Sequence, residues 1–275
     1  MITTYLTTGD LHGKLDRFFN LHNKYKPEET AIICLGDCGF NFYLNDRDKQ
    51  MKEKAMELGY TFYCVRGNHE ARPMSIPNMT ITYDAEIEGI VYFEPNYSRI
   101  KYLVDGCEYN INGYSTLVIG GAYSVDKWYR ILRNGYTEEN NNPKVTGWFN
   151  DEQLTIEEMA DITRNVQGKH FNFILTHTCP ASVEPTDLFL SFIDQSKVDK
   201  IMEYFLERIL NITSHDVWLF GHFHKDRLER PHIEQFYTDI EELDKIVSRW
   251  KEYDKTKELP YWLDKSPNFL EKSYK

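Results

Sequence analysis

Five short segments carrying glycine, aspartate and histidine, each placed directly after an apolar run, constrain this chain more than any other feature. They are Gly9-Asp10-Leu11-His12-Gly13, Gly36-Asp37, Arg66-Gly67-Asn68-His69-Glu70, Thr176-His177 and Gly221-His222-Phe223-His224. A short apolar run bounded by glycine reads as a buried strand. Each segment then lies at the C-terminal mouth of a strand, where α/β proteins build their sites. Residues far apart in sequence are expected to converge on one sheet edge.

The first third alternates strand and helix signals. Ile2 to Thr7 and Ala31 to Leu35 read as strands, as does Tyr60 to Val65, which ends at Arg66-Gly67-Asn68-His69. Between them, Asp16 to Tyr25 carries Phe18, Phe19, Leu21, His22 and Tyr25 at helical spacing, and Asp46 to Leu58 is a charged amphipathic helix closed by Gly59. This is the pattern of parallel βαβ units. From Asn78 to Tyr123 the pattern changes to short strands separated by Gly89, Pro95, Asp105-Gly106 and Asn112-Gly113, the last a hairpin signal. Antiparallel β following parallel α/β suits two sheets packed face to face. Thr155-Ile156-Glu157-Glu158 matches a capping box. Phe171 to Leu175 and Val217 to Phe220 are buried strands, with a helix over Val198 to Leu210 between them.

Because the candidate ligands run from Asp10 to His224, one domain is expected over residues 1–232. Residues 233–275 form a charged extension in which Ile240, Leu243, Ile246, Val247, Trp250 and Tyr253 lie at helical spacing, as for a helix packed on the same domain. Five cysteines, an odd number, do not make a disulfide framework. No apolar leader precedes Gly9 and no stretch of about eighteen apolar residues occurs. A cytoplasmic protein without a membrane partner is the expectation. The net charge of −11 argues against passive wrapping of a nucleic-acid backbone, leaving nucleic acid only as a substrate.

A pair of divalent cations needs anionic or strongly dipolar ligands and one carboxylate able to bridge. Asp10 and His12 alternate across Leu11, and His222 and His224 across Phe223; extended backbone at the central residue would turn each pair to one face. Asp37 is the natural bridge, Asn68 offers a carbonyl oxygen, and His177 an imidazole. Nitrogen and oxygen donors without thiolate suit Mn, Fe, Zn, Co or Ni better than Ca or Mg, and manganese leads the expectation. Two such ions ~3.5–4 Å apart hold a phosphate and lower the pKa of a water between them, which then attacks phosphorus in line.

These residues resemble the calcineurin-like metallophosphoesterase superfamily over about the first 230 residues. The shared pattern is Asp-x-His, Gly-Asp, Gly-Asn-His, a lone His and Gly-His-x-His, in that order. The resemblance implies a four-layer α/β/β/α sandwich with mixed sheets and two metal ions. One ion would take Asp10, His12, Asp37 and His224; the other Asp37, Asn68, His177 and His222. His69 would protonate the leaving alkoxide, a role suited to an imidazole. Gly9-Asp10-Leu11-His12-Gly13 and Arg66-Gly67-Asn68-His69-Glu70 look like the Ser/Thr protein phosphatase branch. Gly36-Asp37 is followed by Cys38-Gly39-Phe40, however, without that branch's Asp-Arg-Gly, so the partner that orients His69 is not supplied by the motif. The run from Gly120 to Lys127, with Gly147-Trp148-Phe149 and Glu152-Gln153, looks like bacterial and phage phosphoesterases of the superfamily.

Arg66 has two readings, a bidentate clamp on a phosphate oxygen or a salt bridge to Glu70. Asp126, Lys127 and Arg130 border the cleft or form a solvated loop, and Tyr123, Trp128 and Tyr129 stack a base or pack a loop mouth. His22, His170, His215 and His232 fall outside the ligand pattern and read as surface or packing residues. The function expected is a metal-dependent phosphohydrolase, foremost a phosphomonoesterase. A phosphodiesterase or nuclease is the first rival, and a non-catalytic scaffold the remote one. Substrate choice is assigned to the loops Asn41 to Arg47, Arg72 to Met79 and Trp128 to Gly147.

Overall fold

The computed structural model describes residues 1–133, 147–267 and 269. Two mixed sheets face each other. The first runs in the order β13-β1-β2-β3-β6-β5-β4 and the second, which begins at the edge strand β11 (Arg227–Arg230), β11-β12-β10-β9-β8-β7. The strands that matter for the site are β1 (Thr4–Thr8), β2 (Thr30–Cys34), β3 (Thr61–Cys64), β8 (Tyr114–Ile119), β9 (His170–Thr176) and β10 (Ser214–Phe220), and a short helix, α2 (Lys127–Arg133), follows β8.

The alternation of side chains explains the layers. In β2, Ala31 and Ile33 face the second sheet, while Ile32 and Cys34 face outward beneath α1 (Asp46–Leu58) with Ala55. In β10, Val217 and Leu219 enter the same inter-sheet core. Trp218 and Phe220 pack outward against α3 (Ile156–Val166) and α4 (Ile201–Ile212), through Met159, Ile162, Met202 and Leu206. Helix, sheet, sheet, helix is the four-layer α/β sandwich expected.

Several local expectations hold for stated reasons. The helix α1 begins after Asn45, whose side chain accepts from Arg47 N–H, and stops at Gly59 with φ 80°. Thr155 and Glu158 close the capping box of α3 reciprocally. Asn112 and Gly113, with φ 55° and 81°, form the tight turn joining β7 (Glu108–Ile111) to β8.

One expectation needs correction. Asp16 to Tyr25 is not one helix but two short 3₁₀ turns, Asp16–Phe18 and Leu21–Asn23. Only Phe18 of its apolar stripe is buried and Phe19 is 50% exposed, too little apolar surface to hold a longer helix. The mixed sheets expected are present, with the antiparallel strands divided between them. β4 (Thr80–Asp84), β5 (Gly89–Phe93) and β6 (Ile100–Leu103) complete the first sheet, β6 pairing in parallel with β3, while β7 and β8 open the second.

Past His232 the chain returns to both sheets. β12 (Ile233–Gln235) pairs with β10 and β13 (Glu241–Glu242) with β1. The helix α5 (Leu243–Thr256) then buries Leu243, Ile246, Val247 and Trp250 in the inter-sheet core. Four such side chains at ~1.5–3 kcal/mol each are a substantial share of a domain's stability. No helix among the described residues is long and apolar enough to cross a membrane.

Candidate metal centre

Register brings the five segments together. Thr8 lies opposite Cys34 and Cys34 opposite Cys64, so β1, β2 and β3 end level. In the second sheet Leu175 lies opposite Leu219, so β9 and β10 also end level. The loops beyond are tied to one another: His12 N–H donates to Asp37 O at 2.7 Å and Gly221 N–H to His177 O at 2.9 Å.

The strand ends do not stay extended as the alternation argument required. Asp10, His12, Asp37, His222 and His224 all have φ between 38° and 71°, in the left-handed region. Such conformations cost free energy in non-glycine residues and gather at functional sites. Each pair is aimed inward by this sharp turning rather than by the pleat of a strand. Glycines make the close packing feasible. A Cβ on Gly36, itself at φ 94°, would lie 2.1 Å from His177 Nδ1, and one on Gly67 would lie 2.0 Å from Asp37 Oδ1.

Asp10, Asp37, Asn68 and His177 are buried, while the His12 and His224 side chains are 30% and 50% exposed. At the outer end His12 Nε2 and His224 Nε2 are 3.0 Å apart, and Asp10 Oδ1 is 3.8 Å from His224 Nε2. At the inner end His177 Nε2 lies 2.8 Å from Asn68 Oδ1 and 3.6 Å from Asp37 Oδ1. Asp37 Oδ2 is 3.8 Å from His12 Nε2, so this one carboxylate faces both ends. The ligand atoms of Asp10, His12 and His224 form one group within 4.8 Å, and those of Asp10, Asp37 and His177 another. His222 packs its ring edge-on to His177 at 5.1 Å and gives its N–H to Asp10 Oδ2 at 2.9 Å.

The inner end fixes its own hydrogen positions. His177 Nδ1–H donates to Leu35 O at 2.8 Å, which leaves Nε2 with a lone pair. Burial pulls the His177 pKa down, so the ring is neutral. The Asn68 amide is oriented from behind, because its Nδ2 donates to Ser124 Oγ at 2.8 Å and Ser124 Oγ donates to Glu152 Oε2 at 2.6 Å. Asn68 Oδ1 therefore points its lone pairs at the lone pair of His177 Nε2. Two acceptors at hydrogen-bond distance with no proton between them suit a cation.

The electrostatics agree. Burial pushes the Asp37 carboxyl up, but the imidazoles of His177, His69 and His12 outweigh it and hold it below the ordinary range. Burial, reinforced by Asp37, drives Asp10 well above that range, and Asp10 Oδ1 has no hydrogen-bond partner among the described residues. Burial lowers His12 to about 4 and takes His222 and His224 down as well. Neutral imidazoles beside two buried carboxylates, one of them with an unpaired oxygen, fit divalent cations.

His69 stands at the mouth. Its N–H donates to Asp37 Oδ1 at 2.8 Å, and its ring packs edge-on to Phe42 at 6.1 Å and near His12 at 5.8 Å. Phe42 packs on the ring where the arginine motif is missing, and His69 Nδ1 is buried without a hydrogen-bond partner among the described residues. Arg66 does not clamp a phosphate. It is buried, and its guanidinium is spent on Asp105 Oδ2 at 2.8 Å, Glu152 O at 2.7 Å and Gly120 O at 3.3 Å. Nor does it bridge to Glu70, whose carboxylate accepts from Gly67 N–H at 3.1 Å and Cys38 N–H at 3.2 Å. Each of its three nitrogens is bound to the scaffold and the side chain is buried, so it is held as a structural group.

Ser124 and Glu152 entered the sequence reading only within segments of a family resemblance, without a role, and Arg17 not at all. Arg17 holds the strand end behind Asp10, donating to Thr8 Oγ1 and Gly9 O at 3.0 Å and Tyr237 O at 2.6 Å. None of these three touches the ion site, so no ligand spacing marks them. His170 and His232 lie away from the site, paired with Asp216 and Asp254.

Two cavities open from the centre and share His69, His224 and Asp126. One, of 580 Å³, carries Phe42, Tyr43, Arg47, Lys54 and Arg130; the other, of 380 Å³, is largely apolar with carboxylates. Of the loops expected to choose substrate, that of residues 41–47 lines the first. Arg72 is held by Glu158 and the carbonyls of Asp151 and Gln153. Lys127 covers the Trp148 ring at 4.3 Å, outside both cavities. Much of the loop from Trp128 to Gly147 lies outside the described residues.

Comparison with known proteins bears on the same residues. The profile of the calcineurin-like phosphoesterases matches residues 3–226. No curated protein sequence matches the chain. One solved structure aligns over 89% of this chain and 96% of its own, at 13% identity and a TM-score of 0.47. A profile match over most of the length, taking in every residue that builds this centre, makes the chain a member of the calcineurin-like phosphoesterase family, a family of metal-dependent phosphoester hydrolases.

Proposed function

We propose that the chain is a phosphomonoesterase working with two divalent ions, manganese foremost. The observation that carries the metal-dependent reading is the facing of His177 Nε2 and Asn68 Oδ1, two acceptors 2.8 Å apart. Asp10, His12, Asp37 and His224 would hold one ion, and Asp37, Asn68, His177 and His222 the other. When bound, the ions supply Lewis acidity toward a phosphoryl oxygen and a hydrolytic water of lowered pKa. The chain supplies the rest. His69, its ring packed on Phe42, gives a proton to the leaving oxygen. Arg47 and Lys54, on a chain of net charge −11, make the larger cavity locally basic and suited to the oxygens of a terminal phosphate.

A second reading, phosphodiester cleavage, draws support from the two cavities flanking the centre, which have room for a group on each side of one phosphorus. Metal-stripped protein re-loaded separately with Mn, Zn, Ni, Fe and Mg, and assayed on p-nitrophenyl phosphate and bis-p-nitrophenyl phosphate, separates the two. Higher kcat/KM on the monoester supports the proposal; the reverse selects the diesterase. Protein that binds no metal overturns both.

A further inference from the structure

The smaller cavity has a chemistry of its own. Its walls include Phe189, Leu190, Val198 and Phe223, the rings of Phe189 and Phe223 stacking at 6.3 Å. Asp126, Glu184 and Glu203 add carboxylates, the first two already paired with Arg130 at 2.7 Å and Lys200 at 2.9 Å. Glu203, on the first turn of α4, is 5% exposed. Its Oε1 accepts from Thr178 Oγ1 at 2.8 Å, whereas Oε2 is buried without a hydrogen-bond partner among the described residues. An unpaired buried carboxylate oxygen is costly, and natural structures keep such groups where something binds them.

Asp37, His69, His222 and His224 line this cavity too. A group esterified to a phosphate at the metal centre therefore enters it directly. The opposite cavity, with Arg47 and Lys54, suits phosphate oxygens; this one, where Glu203 alone of the three carboxylates has no cation paired to it, suits an apolar body with a cationic end.

We propose that this cavity is the subsite for the ester's organic group, and that Glu203 selects phosphoesters whose apolar or aromatic alcohol ends in a protonated amine. The inference rests on the phosphohydrolase reading above for its catalytic arm. Its binding arm stands alone. A site built around a buried polar group discriminates strongly against ligands that leave it unpaired, more strongly than an apolar wall discriminates by size.

Two probes test it at pH 8. The first is the kcat/KM ratio for 4-(aminomethyl)phenyl phosphate over 4-methylphenyl phosphate, esters differing only in the ammonium group. The wild-type ratio is expected to be at least about tenfold, falling toward one in Glu203→Gln. The second is calorimetric titration with benzamidine, an aromatic cation that needs no turnover, with binding about tenfold weaker in Glu203→Gln. A wild-type ratio at or below one, or one unchanged in the variant, overturns the proposal. If neither ester is hydrolysed with any metal, the hydrolase reading fails and benzamidine alone decides: equal binding to both proteins, or none, overturns the subsite. Should Glu203→Gln not fold, Phe189→Ala replaces it, with benzamidine binding expected to weaken and unchanged binding counting against the subsite.

Discussion

His12 Nε2 and His224 Nε2 meet at 3.0 Å although 212 residues separate them and they descend from different sheets. Both residues sit at left-handed φ, so each loop carries backbone strain that only a shared purpose offsets. The His224 ring also stacks on Tyr237 at 4.8 Å, which holds it in place from the solvent side. Because this end is exposed, His224→Ala should leave the fold intact. The expected result is two ions per chain in the wild type and one tightly held ion in the variant, counted by elemental analysis after desalting. Two tightly held ions in His224→Ala would place the outer site elsewhere.

Ser124 is the hinge of the inner end. It links Asn68 to Glu152 and thereby turns the amide oxygen toward His177. In Ser124→Ala the Asn68 amide loses the contact that fixes its orientation and is free to flip. Partners one step behind a metal ligand typically contribute about 10–100-fold in affinity. Metal titration of Ser124→Ala should show that loss at one site only. A wild-type affinity would mean the amide is oriented by something else.

His69 is assigned to the proton and not to the metal. Its N–H bonds Asp37, but its ring leans on Phe42 at the cleft mouth. Removing a general acid costs about 10²–10⁴ in rate. His69→Ala should therefore retain both ions and lose turnover by that order on an ester with a poor leaving group. With p-nitrophenyl phosphate, whose leaving oxygen needs little protonation, the loss should be smaller. Equal losses on the two esters would assign His69 to charge stabilisation instead.

The gathering of the candidate ligands was legible in the sequence because an apolar run that stops at a glycine, or at Thr176-His177, marks a strand end. Five such ends in one chain can share a site only if the strands are level, as the pairing of Thr8, Cys34 and Cys64 makes them. How the ligands are aimed was not legible. Period-two alternation says nothing of φ, and Asp10 and His12 converge through left-handed turns that ordinary residues seldom adopt. Arg66 shows a second limit. A guanidinium beside a catalytic motif looks the same in sequence whether it faces a phosphate or carbonyls, and Asp105, Gly120 and Glu152, far along the chain, decided the matter. Glu203 was invisible for a related reason: it lies in an ordinary amphipathic helix, and only packing against Thr178 reveals that the carboxyl is buried.

Burial pushes the Glu203 carboxyl from an ordinary 4.5 up to about 7. The folded protein then holds a proton, between about pH 4.5 and 7, that the unfolded chain has released. Stability contributed by this group is full below pH 4.5, falls as pH rises through the window, and is level again above about 7. The interval corresponds to on the order of 3 kcal/mol. Glu203→Gln has no proton to lose, so its contribution does not change with pH. Urea unfolding of both proteins at pH 4.5, 6 and 8 reads the effect as a difference of differences, which cancels every other titrating group. The variant should gain on the wild type by that order between the lowest and highest pH. Parallel pH profiles would show that Glu203 ionises at its ordinary value, and that its carboxylate is solvated in the cavity.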